Sequence, residues 1–217
     1  LIRISNILTS LVFPHYCPGC GNEWRDGVGW ICPECWSRLP EAGPGLWSLK
    51  PELKNSLFVA FHYNDDTQRL VHQMKFAGRE DIAPKLGQEA ARRFRQWITP
   101  VLYEAIVPVP LHPTRRRERG YDQNLAIAKG VSAELNIPLR NDLIIRVRNT
   151  PPQSRLSDSE RLQNLRGAFV PMPTLRNAPV AVLLIDDVIH TGQTILGCRD
   201  ALKAAGVERI GALAACG

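Results

Sequence analysis

Val180-Ala181-Val182-Leu183-Leu184-Ile185-Asp186-Asp187-Val188-Ile189-His190-Thr191-Gly192-Gln193-Thr194 is the stretch that decides the fold. Its first six residues are apolar without a break, the pattern of a parallel strand buried on both faces. The strand runs straight into two carboxylates, Asp186 and Asp187. A short loop then brings Thr191, Gly192 and Thr194 to the point where the helical pattern Ile195, Cys198, Leu202, Ala205 begins. Anionic side chains at a strand tip are therefore followed by the N–H groups and positive dipole end of a helix. Carboxylates suit sugar hydroxyls or Mg²⁺, and a helix N-terminus suits phosphate; a phosphorylated sugar satisfies both. The plainer alternative is an ordinary βα turn. It leaves two adjacent carboxylates repelling at a buried strand end with nothing gained.

The motif resembles the binding motif for 5-phosphoribosyl-1-pyrophosphate (PRPP) in type I phosphoribosyltransferases, where apolar residues, an acidic pair and a Thr-Gly-x-Thr turn occur in this order. The resemblance implies that Asp186, Asp187, Val188, Ile189, His190, Thr191, Gly192, Gln193 and Thr194 bind PRPP, with Mg²⁺ bridging ribose and pyrophosphate oxygens. Asp186 and Asp187 would take the ribose hydroxyls, and Thr191, Gly192 and Thr194 the 5′-phosphate. His190 departs from the family, which often has Thr there, and reads better as a plain loop histidine.

Upstream, Ala105-Ile106-Val107-Pro108-Val109-Pro110-Leu111-His112 is a short apolar strand stopped by a Pro-x-Pro turn. In type I phosphoribosyltransferases a turn at this place binds pyrophosphate through backbone N–H groups. Prolines lack that donor, which leaves Val109, Leu111 and His112. Next come Arg115, Arg116, Arg117 and Arg119, read as a positive loop before Gly120 and the helix carrying Leu125, Ala128, Val131 and Leu135. The planar fork of arginine suits phosphate oxygens. Arg115 and Arg116 are thus catalytic candidates beside Asp186 and Asp187, and all four arginines are candidates for nucleic-acid contact. A solvated charge run is the alternative.

Cys17-Pro18-Gly19-Cys20 and Cys32-Pro33-Glu34-Cys35 are two Cys-x-x-Cys knuckles separated by eleven residues. Such turns aim both thiolates at one centre, and two of them make the tetrahedral four-thiolate site of structural Zn²⁺. A disulfide pair and a redox motif are the alternatives. With zinc filled by Cys17, Cys20, Cys32 and Cys35 the metal is structural, and it supplies much of the folding energy of so small a unit. Trp24, Trp30 and Trp36 are either the core of this unit or stacking platforms for single strands. Cys198 and Cys216 stand apart as buried thiols, a usage that fits a reducing cytoplasm.

At this point the resemblance narrows to the ComF (GntX) family. Pro-Val-Pro-Leu-His, Arg-x-x-Arg-Gly-Tyr-Asp-Gln-Asn and Arg146-Val147-Arg148-Asn149-Thr150-Pro151-Pro152-Gln153 carry it, continued by Leu156-Ser157, Glu160-Arg161, Asn164 and Gly167-Ala168-Phe169. That family joins a four-cysteine zinc finger to a phosphoribosyltransferase-like domain, and the similarity covers essentially the whole chain. It implies a role in competence and the use of external DNA, with single-stranded DNA and competence-machinery proteins as partners. The expected fold is α/β: a type I phosphoribosyltransferase-like parallel sheet flanked by helices, with a small zinc-finger unit. The expected organisation is residues 1–40 for an amphipathic helix (Ile4, Ile7, Leu8, Leu11) and the finger, 41–55 for a linker, and 56–217 for the second domain. Within the latter, 56–100 reads as a hood or insert and 101–217 as the PRPP-binding core. Ser157 and Glu160 form a capping box, and Gln153, Arg161 and Asn164 a polar trio between Arg155 and Arg166. Arg92, Arg93 and Arg95 read as a solvated helix face.

Composition sets outer bounds. The 217 residues carry 27 Lys and Arg against 21 Asp and Glu, a net charge of +6, which fits a polyanionic partner without choosing among them. No apolar run reaches the ~18 residues of a membrane helix. No Gly-x-x-x-x-Gly-Lys-Ser/Thr occurs, which excludes a P-loop ATPase. A transferase and a silent PRPP-sensing or DNA-binding module both fit, because no residue stands out as the reader of an acceptor.

Overall fold

The computed structural model describes residues 16–23, 30–44, 53, 56–97, 102–149 and 167–217. Its centre is β6 (Ala181–Val188), buried at every residue from Ala181 to Asp187. Parallel neighbours lie on both sides: β3 (Ala105–Pro108) pairs Pro108 with Ile185, and β7 (Arg209–Cys216) pairs Leu213 with Ile185. Beyond β7 come β2 (Leu57–Phe61), also parallel, and the antiparallel edge strand β1 (Glu41–Pro44), giving the order β1-β2-β7-β6-β3.

Alternation along β6 divides the core. Leu183 and Ile185 face a cluster with Leu70, Met74, Leu86, Phe94, Ile127 and Val131. These come from α2 (Asp65–Phe76), α3 (Ile82–Trp97) and α5 (Gln123–Leu135). Val182 and Leu184 face the other way, onto Ile195, Cys198 and Leu202 of α6 (Gln193–Ala204). Because successive strand residues point to opposite faces, one apolar run builds both layers. Three layers result: helices, sheet, helix.

Local chemistry sets the helix ends. Asn64 and Thr67 form a reciprocal capping box at α2. Asp122 caps α5 by accepting from the Leu125 N–H at 3.0 Å. Helices α3 and α5 meet so closely that a Cβ on Gly130 would lie 2.0 Å from the Pro84 carbonyl oxygen, and one on Gly87 2.1 Å from that of Ile127. Only glycine fits either place.

Several expectations change. The Arg115–Arg119 loop is a helix, α4 (Pro113–Arg119), with Pro113 in its first turn and Gly120 (φ 80°) after its end. Glu41–Pro44, inside the expected linker, is strand β1. Within the 56–100 segment, β2 lies in the main sheet and α3 packs on α5 beneath it. A two-stranded antiparallel ribbon, β4 (Ile144–Arg146) with β5 (Phe169–Pro171), was not foreseen; each strand has only three residues, too few for a periodic signal. The N-terminal amphipathic helix, Trp24, the Ser157–Glu160 box and the trio Gln153, Arg161 and Asn164 lie outside the described residues.

The cysteine unit, with its short helix α1 (Pro33–Ser37), packs into the core cluster that holds Phe61 of β2. Trp36 meets Trp30 and Phe61 edge-on, each at 6.3 Å between ring centroids. Both tryptophans pack against the core rather than standing clear as stacking platforms. Arg93 leaves the expected solvated face: its guanidinium lies over Phe61 (4.3 Å) and pairs with Glu41. Arg92 stays exposed and pairs with Glu89 and Glu134.

Candidate functional site

The carboxyl ends of β3 and β6 open into a cleft of about 540 Å³. Ligands of parallel α/β sheets bind at such an edge. Asp186 and Asp187 form its floor, each only 6% exposed. Burying two adjacent carboxylates is costly unless both are hydrogen-bonded or paired. Lys75, from the last turn of α2, places its Nζ 2.9 Å from Asp187 Oδ2. Gln123 Nε2 donates to the same oxygen at 3.2 Å, and the Val188 N–H donates to Oδ1. Asn124 Nδ2 donates to Asp186 Oδ1 at 3.2 Å and to the Val109 carbonyl at 3.1 Å.

The two carboxyls are driven apart. Burial, then the charge of Asp187, pushes Asp186 up to about 7. Burial pushes Asp187 the same way, but the Lys75 ammonium and the bonds from Lys75 and Gln123 outweigh it and hold that carboxyl below its ordinary value. Lys75 and Gln123 thus favour the ionised form of Asp187, while burial disfavours that of Asp186.

Arginines complete the lining. Arg115 and Arg119, one turn apart on α4, face the cleft, as does Arg146 from β4, whose guanidinium lies 5.4 Å from the Phe169 ring centroid. Arg116 and Arg117 are exposed and outside the lining, so α4 splits the predicted quartet between two faces. The i,i+4 spacing of Arg115 and Arg119 carried that division once the segment was helical.

The phosphate-type loop also sorts its residues. Val188 and Thr194 line the cleft, while Ile189 turns into the core and its N–H donates to the Cys216 carbonyl. Gly192 takes the left-handed conformation (φ 73°) at the N-cap of α6, which has no side-chain cap. The first turn of a helix offers its N–H groups outward, and that of α6 begins directly after this loop. His190 is exposed and meets Tyr63 edge-on at 5.4 Å. At the other loop, Leu111 lines the cleft and His112 caps α4 through Nδ1. Val109 corrects an expectation. Its N–H donates to the Ile185 carbonyl at 2.8 Å, extending the ladder, and is not open to a ligand.

Three buried polar atoms of the cleft lining, Arg119 Nη1, Gln123 Oε1 and Asn124 Oδ1, have no hydrogen-bond partner among the described residues, and neither has Thr191 Oγ1 in the loop after β6. Each such group costs about 1–3 kcal/mol when left unsatisfied, so the site fits a polar occupant. Carboxylate oxygens beside amide oxygens also suit a hard cation such as Mg²⁺. The sequence reading missed Lys75, Gln123, Asn124 and Arg146. Gln123 and Asn124 stood in the quoted Asp-Gln-Asn run, on the first turn of a helix whose apolar face is buried. Lys75 had no local signal.

The second cluster is the cysteine unit. The sulfurs of Cys17, Cys20, Cys32 and Cys35 lie within 4.8 Å of one another, with Cys20 and Cys32 at 3.9 Å. A tetrahedral four-thiolate centre with metal–sulfur bonds of about 2.3 Å needs edges of about 3.8 Å, so these residues are placed to hold a metal ion. Burial pushes Cys17 up, but N–H groups of Cys32, Cys20 and Gly19 outweigh it and bring the thiol down to about 7. Burial and the neighbouring sulfurs push Cys35 up. A central cation would remove that repulsion. All six cysteines are free thiols, and Cys198 and Cys216 are buried as expected.

Relatives bear on both clusters together. Competence protein F of Haemophilus influenzae is 32% identical over 205 residues, covering 91% of this chain and 82% of that protein. The chain belongs to the ComF family. A ComF relative in Escherichia coli K12, DNA utilization protein YhgH, is 30% identical over 177 residues, covering 76% of this chain and 74% of that protein. The chain combines a four-cysteine unit with an α/β domain built on a mainly parallel sheet. No family model matches the chain. Among solved structures, a glutamine PRPP amidotransferase from B. subtilis aligns over 66% of this chain and 30% of that one, at 18% identity and a TM-score of 0.44.

Proposed function

We propose that the cleft binds PRPP with Mg²⁺, that the four cysteines hold a structural Zn²⁺, and that this ComF protein acts in the uptake or use of external DNA. One observation carries the first part. Asp186 and Asp187 end β6 on the cleft floor, directly ahead of the uncapped α6 N-terminus, with Arg115, Arg119 and Arg146 around them. The α6 N–H groups and Thr191 would take the 5′-phosphate, and the aspartates the ribose hydroxyls and Mg²⁺. The metal would neutralise the diphosphate when bound. The three guanidinium groups would share that task, so any ribosyl transfer would be driven by position and electrostatics. The names of the relatives support the link to DNA, and the cysteine geometry supports zinc.

A second reading, a PRPP-sensing module that contacts single-stranded DNA, is favoured by the exposure of Arg116 and Arg117 on the outer side of α4. One set of titrations tests both. PRPP with Mg²⁺ should bind and raise the melting temperature, and Asp187→Asn should weaken binding by about tenfold or more. Absence of binding to the wild type would overturn the proposal. Pyrophosphate release on adding candidate acceptors marks a transferase. Salt-sensitive oligonucleotide binding, lost in Arg116→Ala/Arg117→Ala while PRPP still binds, marks the module.

A further inference from the structure

We infer that Lys75 is an exchangeable counter-ion: it closes the carboxylate pair to a bare divalent cation and gives way only to a cation that arrives with a phosphorylated ligand. This rests on the PRPP reading above and concerns how that same site admits its metal.

The geometry of Asp187 carries the inference. Its Oδ2 accepts from Lys75 Nζ at 2.9 Å and from Gln123 Nε2 at 3.2 Å, and its Oδ1 accepts from the Val188 N–H. Both oxygens are engaged. Asp186 Oδ1 is also occupied, by Asn124 Nδ2 and by the Asp187 N–H at 3.0 Å. A divalent ion binds a carboxylate oxygen at about 2.0–2.1 Å, and it would do so here against an ammonium already on Asp187. The repulsion between the two cations in a buried setting is large. A bare ion must therefore drive Lys75 off with no new partner for the lysine.

A diphosphate-bearing ligand changes that balance. Lys75 lines the same cleft as Arg115, Arg119 and Arg146, so an anion held there offers the ammonium a second partner within reach. A lysine is a compact charge on a flexible stem, suited to such a move. The side chain retains 17% of its exposure, against 9% for Asp187. Its backbone sits at the end of α2, two residues before the C-cap Ala77 and three before Gly78 (φ 69°). The counter-ion is thus mounted at a helix terminus rather than in a helix interior. A permanently structural lysine would give the same static bond, and only the response to ligands separates the two.

The test uses Mn²⁺ as a paramagnetic reporter and PRPP as ligand on the full-length, metal-loaded protein. Wild type should bind Mn²⁺ weakly alone and tightly once PRPP is added. Lys75→Gln should bind Mn²⁺ alone about tenfold tighter or more, with the PRPP requirement largely lost. A folded Lys75→Gln whose Mn²⁺ affinity matches that of the wild type would overturn the inference. A second measurement needs no variant. The ¹⁵Nζ resonance of Lys75 should stay in place on adding Mg²⁺ and move on adding Mg²⁺ with PRPP. A resonance that Mg²⁺ alone shifts, or that PRPP–Mg²⁺ leaves unmoved while binding is measured, also overturns it. If wild type binds no PRPP at all, the parent reading fails instead, and the calorimetric titration shows which has failed.

Discussion

Single residues in this protein are set by what they touch across the sheet, and the polar ones near the cleft are the sharpest cases. Asp186 and Asp187 are legible in the sequence as an acidic pair at a strand end. Their difference in protonation is not, because it comes from a lysine and two amides more than 60 residues away along the chain. Asp122 shows the same dependence and gives a test. It caps α5, yet burial pushes its carboxyl above the ordinary range despite the Leu125 N–H and Arg116, which pull it down. A carboxyl with a raised folded pKa lends stability that is full below its unfolded value of about 3.9 and is lost as pH rises through the folded one. Asparagine caps as well as aspartate and carries no charge. Asp122→Asn should therefore melt above wild type near neutral pH, and the difference should shrink as the pH falls to about 4; parallel thermal melts read both.

Elements were read well where a period or a cap announced them. The boundaries of α2, α3, α5 and α6 follow apolar spacing, and β6 follows its unbroken run. Helix α4 reads as a loop from its charge run alone. Pro113 in its first turn and Gly120 just past its end were the helix signals available. Strand β1 was hidden in a stretch rich in proline and glycine, and it is tolerated there because it lies at the sheet edge. The packing of α3 on α5 depends on two glycines that no helix-propensity argument would place mid-helix. Gly130→Ala should gain propensity but drive a methyl group into the Pro84 carbonyl. Overpacking of this kind costs about 1–3 kcal/mol, so the urea midpoint should fall with the slope unchanged. An unchanged or raised midpoint would contradict the close approach.

At the scale of the whole molecule, the cysteine unit and the α/β domain are coupled through a few contacts. Trp36 meets Phe61, the Arg93 guanidinium of α3 lies 5.5 Å from the Trp36 ring centroid, and Arg79 donates to the Tyr16 carbonyl at 3.3 Å. With Zn²⁺ on the four cysteines as proposed, a chelator should lower the melting temperature and expose the amides of Glu34–Ser37 to hydrogen exchange, while β6 and β7 stay protected. Equal loss of protection in both regions would mean that the sheet too depends on the metal. The sequence by itself determined the central strand with its two carboxylates, the helix N-terminus after it, the two cysteine knuckles and the family they belong to. All of these are written within a few consecutive residues, where strand period, turn chemistry and ligand spacing act locally. Tertiary structure alone decided that Lys75, Gln123, Asn124 and Arg146 join Asp186 and Asp187, that α4 turns two arginines in and two out, and that the Val109 N–H is spent in the ladder. Those outcomes follow from sheet order and helix rotation, which arise when distant apolar faces are buried together and which no short stretch encodes.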